Sequence, residues 1–126
     1  MSRAAPSDLI KMSCPLHIAE VFLADPVLTL AGMNWNLTVW CAWSVVGLGF
    51  DWESDDLGER VDELRDVAIT DFYVVPDRGP VFVLGRPTAL VLYEQDVDVP
   101  VGLDEPWSMT LHGLVITGGV LGSHWA

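Results

Sequence analysis

Basic residues are scarce in this chain of 126 residues. Six Lys and Arg stand against eighteen Asp and Glu, which gives a formal net charge of −12 at pH 7. Such a surface repels phosphate backbones and anionic lipid, so the composition argues against binding to nucleic acid and to membranes. The same electric field attracts a basic protein partner or a cation. The alternative, that the acidity serves only solubility, stays open at this point.

Cysteine and histidine are also scarce, which limits the redox and metal sites that the chain can build. The two cysteines, Cys14 and Cys41, form no Cys-x-x-Cys pair, so zinc ribbons and thioredoxin-type motifs are excluded. We expect reduced thiols, with a single disulfide as the alternative in an oxidising compartment. His17, His112 and His124 stand outside any known metal-binding motif, and no EF-hand spacing is present. We therefore predict neither a metal nor a cofactor.

Signatures of catalysis are absent from the sequence. It has no Gly-x-Ser-x-Gly elbow, no Walker lysine motif, no His-Glu-x-x-His and no dinucleotide-binding glycine pattern. The glycine-rich stretch Gly113–Gly122 has no lysine to meet a phosphate. We predict no catalytic residues, and the sequence favours a binding protein over an enzyme.

The start of the chain and two uncharged stretches bear on location and domain organisation. The first eleven residues carry three charges and no apolar core of a signal peptide, which favours a cytoplasmic protein. We predict that residues 1–14 are a flexible extension and that residues 15–126 are one domain. Pro26–Phe50 and Pro106–Ala126 are long enough to span a bilayer, but polar residues and glycines interrupt both. We interpret both stretches as buried β-hairpins.

Alternating apolar residues predict a β-rich fold. The clearest strand is Asn34–Val46, in which alternate residues from Trp35 to Trp43 share one face. Further strand-like runs are His17–Ala24, Val27–Leu30, Val67–Val75, Val81–Leu84, Ala89–Tyr93, Trp107–Leu111 and Leu114–Thr117. We predict a mainly β domain: a small antiparallel meander, barrel or sandwich with at most one short helix. The predicted core residues are Trp35, Leu37, Val39, Leu90, Leu92, Trp107, Met109 and Val115.

Residues 51–66, here called the acidic segment, differ from the rest of the chain. Eight of these sixteen residues are acidic and two are arginine. Leu57, Val61 and Leu64 have helical spacing, and Ser54 precedes them as a candidate N-cap. The pattern predicts a short helix, with an acidic loop as the alternative.

The acidic segment is also the best candidate for a functional surface, because clustered carboxylates dock onto Arg and Lys residues of a partner. Trp52 adds a candidate anchor, since tryptophan is enriched at interfaces. The predicted partner-binding residues are Asp51, Trp52, Glu53, Asp55, Asp56, Glu59 and Asp62, and Glu63 belongs to the same cluster. A second acidic cluster comprises Asp96, Asp98, Asp104 and Glu105. The alternative to a partner surface is a solvated acidic face without a function of its own.

Two other classes of function remain open from the sequence. One is a small ligand-binding or catalytic barrel, whose pocket is lined by Trp40, Trp43 and His112. The other is a structural subunit of a homo-oligomer, in which exposed tryptophans form the contact between copies.

The order of several short motifs resembles that of small, uncharacterised bacterial domains. Trp35-Asn36-Leu37-Thr38-Val39 followed by Ala42-Trp43-Ser44-Val45-Val46 is similar to their first half. Ala89-Leu90-Val91-Leu92-Tyr93 and Glu105-Pro106-Trp107-Ser108-Met109 are similar to their closing half. Those domains often have Pro-Trp-Arg where this chain has Ala42-Trp43-Ser44. Some such acidic domains are immunity proteins that neutralise toxins, and the resemblance implies this kind of function. Together with the acidic segment, it leads us to predict an acidic protein-binding module of the immunity or inhibitor type that neutralises a basic partner by occlusion.

Overall fold

The computed structural model describes residues 6–24, 27–75, 79–93 and 107–117. Strands account for 54% of the described residues, which confirms a mainly β fold. The helices are α1 (Pro6–Ser13), α2 (Leu57–Arg60) and a 3-10 helix (Val61–Leu64). The strands are β1 (Leu16–His17), β2 (Glu20–Ala24), β3 (Val27–Gly32), β4 (Trp35–Val39), β5 (Ala42–Val46), β6 (Phe50–Asp51), β7 (Ala68–Ile69), β8 (Asp71–Val75), β9 (Gly79–Val83), β10 (Ala89–Tyr93), β11 (Trp107–Leu111) and β12 (Leu114–Thr117).

The strands form two five-stranded antiparallel sheets and one short ribbon. The first sheet has the order β12-β11-β4-β3-β2, and the second has the order β6-β5-β10-β9-β8. The ribbon pairs β1 with β7. The predicted antiparallel architecture is therefore confirmed as an open, sandwich-like arrangement and not a closed barrel. The structure has two short α-helices where at most one was expected, because α1 was not anticipated.

The predicted strand Asn34–Val46 is divided between the two sheets. β4 ends at Val39 in the first sheet, and β5 begins at Ala42 in the second. The apolar alternation nevertheless continues across the break, because Val39, Cys41 and Trp43 are all buried. The alternation of buried residues therefore does not reveal the change of sheet, since every second residue faces the core both before and after the break.

Aromatic side chains from both sheets meet in the core. Trp43, Phe72, Phe82 and Trp107 are among the largest fully buried side chains. The rings of Phe82 on β9 and Trp107 on β11 lie 5.9 Å apart between centroids and are nearly perpendicular. Edge-to-face pairs of this kind are favourable beyond the area they bury. The contact joins the inner faces of the two sheets.

Seven of the eight predicted core residues are buried, and Val115 is the exception. Val115 is 67% exposed, whereas its neighbour Ile116 is 7% exposed and belongs to the core. The cause is the register of the last hairpin, in which Met109 pairs with Ile116 and Thr110 with Val115. Directly paired residues share a face of the sheet, so the buried Met109 draws Ile116 inward.

The segment predicted to be a flexible extension, residues 1–14, contains α1 from Pro6 onward. Ile10 of this helix is fully buried in the core. Lys11 Nζ lies 3.1 Å from Asp71 Oδ1 on the edge strand β8. The backbone N–H of Phe72 and the Lys11 ammonium both donate to Asp71, and they hold the pKa of its carboxyl below the ordinary value. The packed part of the chain therefore starts before residue 15.

Cys14 and Cys41 are not joined by a disulfide. Cys41 is buried, and Cys14 is half-buried at the end of α1, where its thiol donates to the carbonyl of Ile10 at 3.2 Å. Burial, with a smaller contribution from the Asp71 carboxylate, raises the pKa of the Cys14 thiol.

The described parts of the two uncharged stretches form strands. Residues 27–50 contain β3, β4, β5 and the start of β6, and residues 107–117 form the hairpin of β11 and β12. Within the described ranges, neither α-helix has the length and apolar character needed to cross a membrane.

The register of the last hairpin predicts opposite outcomes for two adjacent residues. Replacing Ile116 with Ala removes buried apolar groups from the core and should cost about 2–3 kcal/mol of unfolding free energy. Replacing Val115 with Ala trims an exposed side chain and should cost less than about 1 kcal/mol. Urea unfolding of both variants measures the difference. A larger loss for Val115→Ala than for Ile116→Ala would contradict the described register.

Candidate functional site

The acidic segment is attached to the core by its three apolar residues. Leu57, Val61 and Leu64 are all buried, as the helical spacing predicts. The helix is short, since α2 gives way to a 3-10 helix at Val61. Arg65 ends the 3-10 helix in an extended conformation. The segment is therefore a packed helical turn rather than a free acidic loop.

The turn that precedes α2 is closed by Asp51 and Ser54. The backbone N–H of Asp51 donates to Ser54 Oγ at 2.9 Å, and the N–H of Ser54 donates to the Asp51 carbonyl at 3.1 Å. Asp51 Oδ1 also accepts from the N–H of Glu53 at 2.8 Å. The predicted N-cap at Ser54 is wrong, because the residue at the N-cap of α2 is Asp56, which makes no side-chain capping bond. Ser54 instead stabilises the turn around Trp52.

Two arginines neutralise the C-terminal half of the acidic segment. The Arg60 guanidinium lies 4.9 Å from the centroid of the Phe50 ring, and it donates to Glu63 and to the backbone carbonyl of Leu48. Arg65 donates to Asp62 Oδ1 at 3.3 Å. Of the predicted partner-binding residues, Asp62 is therefore paired within the segment, and Asp51 accepts a bond inside its own turn.

Four carboxylates of the segment remain available to a partner, and we call them the open carboxylates. They are Glu53, Asp55, Asp56 and Glu59. All four are exposed, and their side chains make no ion pair or hydrogen bond with any described residue. Trp52 lies in the same run of the chain, is half-buried against the core, and donates its backbone N–H to the carbonyl of Trp43 at 3.1 Å.

The residues of the alternative pocket, Trp40, Trp43 and His112, lie in three different settings. Trp43 is fully buried, and its ring packs edge-on against Phe50 at 6.0 Å between centroids. Trp40 is half-buried in the connection between β4 and β5, and His112 is exposed in the turn between β11 and β12. None of the five tryptophans within the described ranges is exposed, so the exposed tryptophans expected at a contact between copies are not found there.

His112 instead lines an open depression of about 690 Å³ that we call the hairpin groove. It is formed by residues near two hairpin turns of the first sheet. The groove is lined by Ala31, Gly32, Asn34, Trp35, Asn36, Thr110, His112 and Gly113. The sequence singled out His112 but not Asn34, Asn36 or Thr110, because Thr110 lies far along the chain from the two asparagines. The turn dipeptide His112-Gly113 was the one available signal.

The remaining observations concern the second acidic cluster, metal binding and similarity to known proteins. The second acidic cluster, Asp96, Asp98, Asp104 and Glu105, is outside them. Within the described ranges, no three His, Cys, Asp or Glu side chains are grouped so that they could hold a metal ion. Comparisons with protein-family models, curated proteins and solved structures gave no match.

The two arginines of the acidic segment should differ in their contribution to stability. Arg60→Ala removes the contact with the Phe50 ring and the bond to the Leu48 carbonyl, and it should cost about 1–2 kcal/mol. Arg65→Ala removes an exposed ion pair and should cost at most about 0.5 kcal/mol. Both variants lose one positive charge, so each controls for the other. Equal losses in urea unfolding would show that Arg60 does not fix the segment to the core.

Proposed function

We propose that this chain is a binding protein whose acidic segment docks onto a basic protein partner. The open carboxylates carry this proposal. Their charge is not neutralised within the described structure, whereas that of Asp62 and Glu63 is. Arg or Lys side chains of a partner could therefore form ion pairs with the open carboxylates by displacing water, without breaking ion pairs inside this chain.

The attachment of the segment supports the same function. Leu57, Val61 and Leu64 are buried in the helical part of the segment. The turn closed by Asp51 and Ser54 holds the N-terminal end of the segment. A surface that is ordered before binding loses less conformational entropy when a partner docks. Trp52, half-buried beside this turn, offers a rigid apolar contact at little further entropic cost.

The net charge of −12 supports rapid association with a basic partner. Long-range attraction raises association rates and weakens as ionic strength increases. If the partner is a basic enzyme or toxin, a docked acidic domain would block access to its substrate. Such occlusion is one way in which an immunity protein, the kind of protein that the resemblance implies, would act. We propose a cytoplasmic location, in which Cys14 and Cys41, which are not joined by a disulfide, would stay reduced.

Charge reversal at three open carboxylates tests the proposal. Changing Asp55, Asp56 and Glu59 to Lys should slow association on the order of tenfold or more, because the attraction becomes repulsion. Association of the unchanged chain should also slow steeply as salt is raised. The rates are measured by stopped-flow fluorescence with a partner recovered by affinity capture at low salt. The circular dichroism spectrum should not change, since these side chains are exposed.

A matched pair of double variants separates local docking from net charge. Asp55→Lys with Asp56→Lys changes the net charge by the same amount as Asp8→Lys with Glu20→Lys, and all four residues are exposed. Only the first pair should slow association strongly. If the two pairs of substitutions slow association equally, the acidic segment is only a solvated face. The same conclusion follows if the association rate changes with neither salt nor charge reversal. Recovery of no basic protein at low salt would also contradict the proposal.

A further inference from the structure

The floor of the hairpin groove is a row of side chains across the first sheet. Ala31 pairs with Asn36 between β3 and β4, and Asn36 pairs with Thr110 between β4 and β11. Neighbours in such a row share one face, with Cβ atoms about 5 Å apart. Leu37 and Met109, which adjoin this row, are fully buried, so the row faces away from the core. The Asn36 amide and the Thr110 hydroxyl are therefore adjacent on the outer face.

The end of the groove is formed by two tight turns that are bonded to each other. Asn34 and His112 both have left-handed backbone conformations, with φ of 65° and 50°. The backbone N–H of His112 donates to the carbonyl of Asn34 at 3.0 Å, which ties one hairpin to the other. The geometry of the turns is fixed before any ligand arrives, and this lowers the entropic cost of binding.

Gly32 and Trp35 also line the groove, and the Trp35 side chain, which is 4% exposed, belongs to the core. Trp35 Nε1 donates to the backbone carbonyl of His17 at 3.3 Å. A Cβ atom added at Gly32 would lie 2.1 Å from Trp35 Nε1 and 2.2 Å from the same carbonyl. The ring therefore occupies the space that a side chain at position 32 would need, and glycine is required there.

The polar side chains of the groove are available for hydrogen bonding. Asn34, Asn36 and His112 are exposed, Thr110 is half-buried, and none of their side chains bonds to another described residue. Together they supply amide, hydroxyl and imidazole groups that donate and accept. Among the described lining residues none is Asp, Glu, Lys or Arg, and the nearest charge in the same row is the exposed Glu20, which pairs with Ala31.

We infer that the hairpin groove binds a neutral, hydroxyl-rich ligand of the size of a monosaccharide or disaccharide. Its volume falls within the range of about 300–1,000 Å³ typical of small-molecule sites. A cation would find only the single carboxylate of Glu20 beside the described lining, and an anion would be repelled by the net charge of −12. Hydroxyl groups match amide and hydroxyl partners, because each of these groups can both donate and accept hydrogen bonds. This site is separate from the acidic segment and does not depend on the function proposed for it.

Titration of the ¹⁵N-labelled full chain, followed by NMR, tests the inference. The probes are glucose, galactose, N-acetylglucosamine, maltose and cellobiose, with glucuronate as the anionic counterpart of glucose. At least one neutral sugar should shift the side-chain amide signals of Asn34 and Asn36 in a saturable way below about 50 mM, which covers millimolar affinities. Glucuronate should bind at least about fivefold more weakly than glucose if glucose binds, because the protein is strongly acidic.

Variants at the turns remove polar groups without straining the backbone. Asn34→Gly and His112→Gly keep left-handed turns that glycine adopts freely, and each should weaken sugar binding about three- to tenfold. Ser108→Ala is the control, since Ser108 lies on the same face of β11 outside the groove lining and should leave binding unchanged. The inference is overturned if no neutral sugar gives saturable shifts at Asn34 and Asn36. It is also overturned if both glycine variants bind the sugar as tightly as the unchanged chain, or if glucuronate binds as tightly as glucose.

Discussion

The contact between Phe82 and Trp107 joins the two sheets, and the arrangement of both surfaces follows from it. Phe82 also packs against Phe72, with 4.8 Å between ring centroids, so the contact extends along the inner face of the second sheet. With the sheets held in this way, the apolar residues of the acidic segment have a core to pack against. The open carboxylates stand on the solvent side of that packing, and the hairpin groove lies on the outer side of the first sheet.

The sequence predicts the fold class and most of the core, because burial on one side of a strand leaves a period of two. That period identifies Trp35, Leu37 and Val39 without knowledge of their partners. It does not show that the chain changes sheets between Val39 and Ala42, since the inward residues keep their alternation there. The error at Val115 has a similar origin, because only the pairing of Met109 with Ile116 decides which side of β12 faces inward.

The surfaces are less predictable than the core, because they depend on which side chains meet. Composition locates the acidic segment, and helical spacing identifies the residues that attach it. Which carboxylates are neutralised depends on the positions of Arg60 and Arg65 in the folded segment. The hairpin groove is harder still to predict, since Ala31, Asn36 and Thr110 become neighbours only through the strand order β3-β4-β11. Helix α1 escaped prediction because its apolar pattern is short and its composition is mostly polar.

A double-mutant cycle between Phe82 and Trp107 tests the central claim that the two sheets pack face to face through this contact. Phe82→Leu and Trp107→Leu, alone and together, should show a coupling of about 0.5–1.5 kcal/mol in urea unfolding, because either single change already removes the edge-to-face contact. The control cycle pairs Phe82→Leu with Phe50→Leu, whose rings make no mutual contact in the described structure. Its coupling should be near zero. A Phe82–Trp107 coupling no larger than that of the control would contradict the described packing of the sheets.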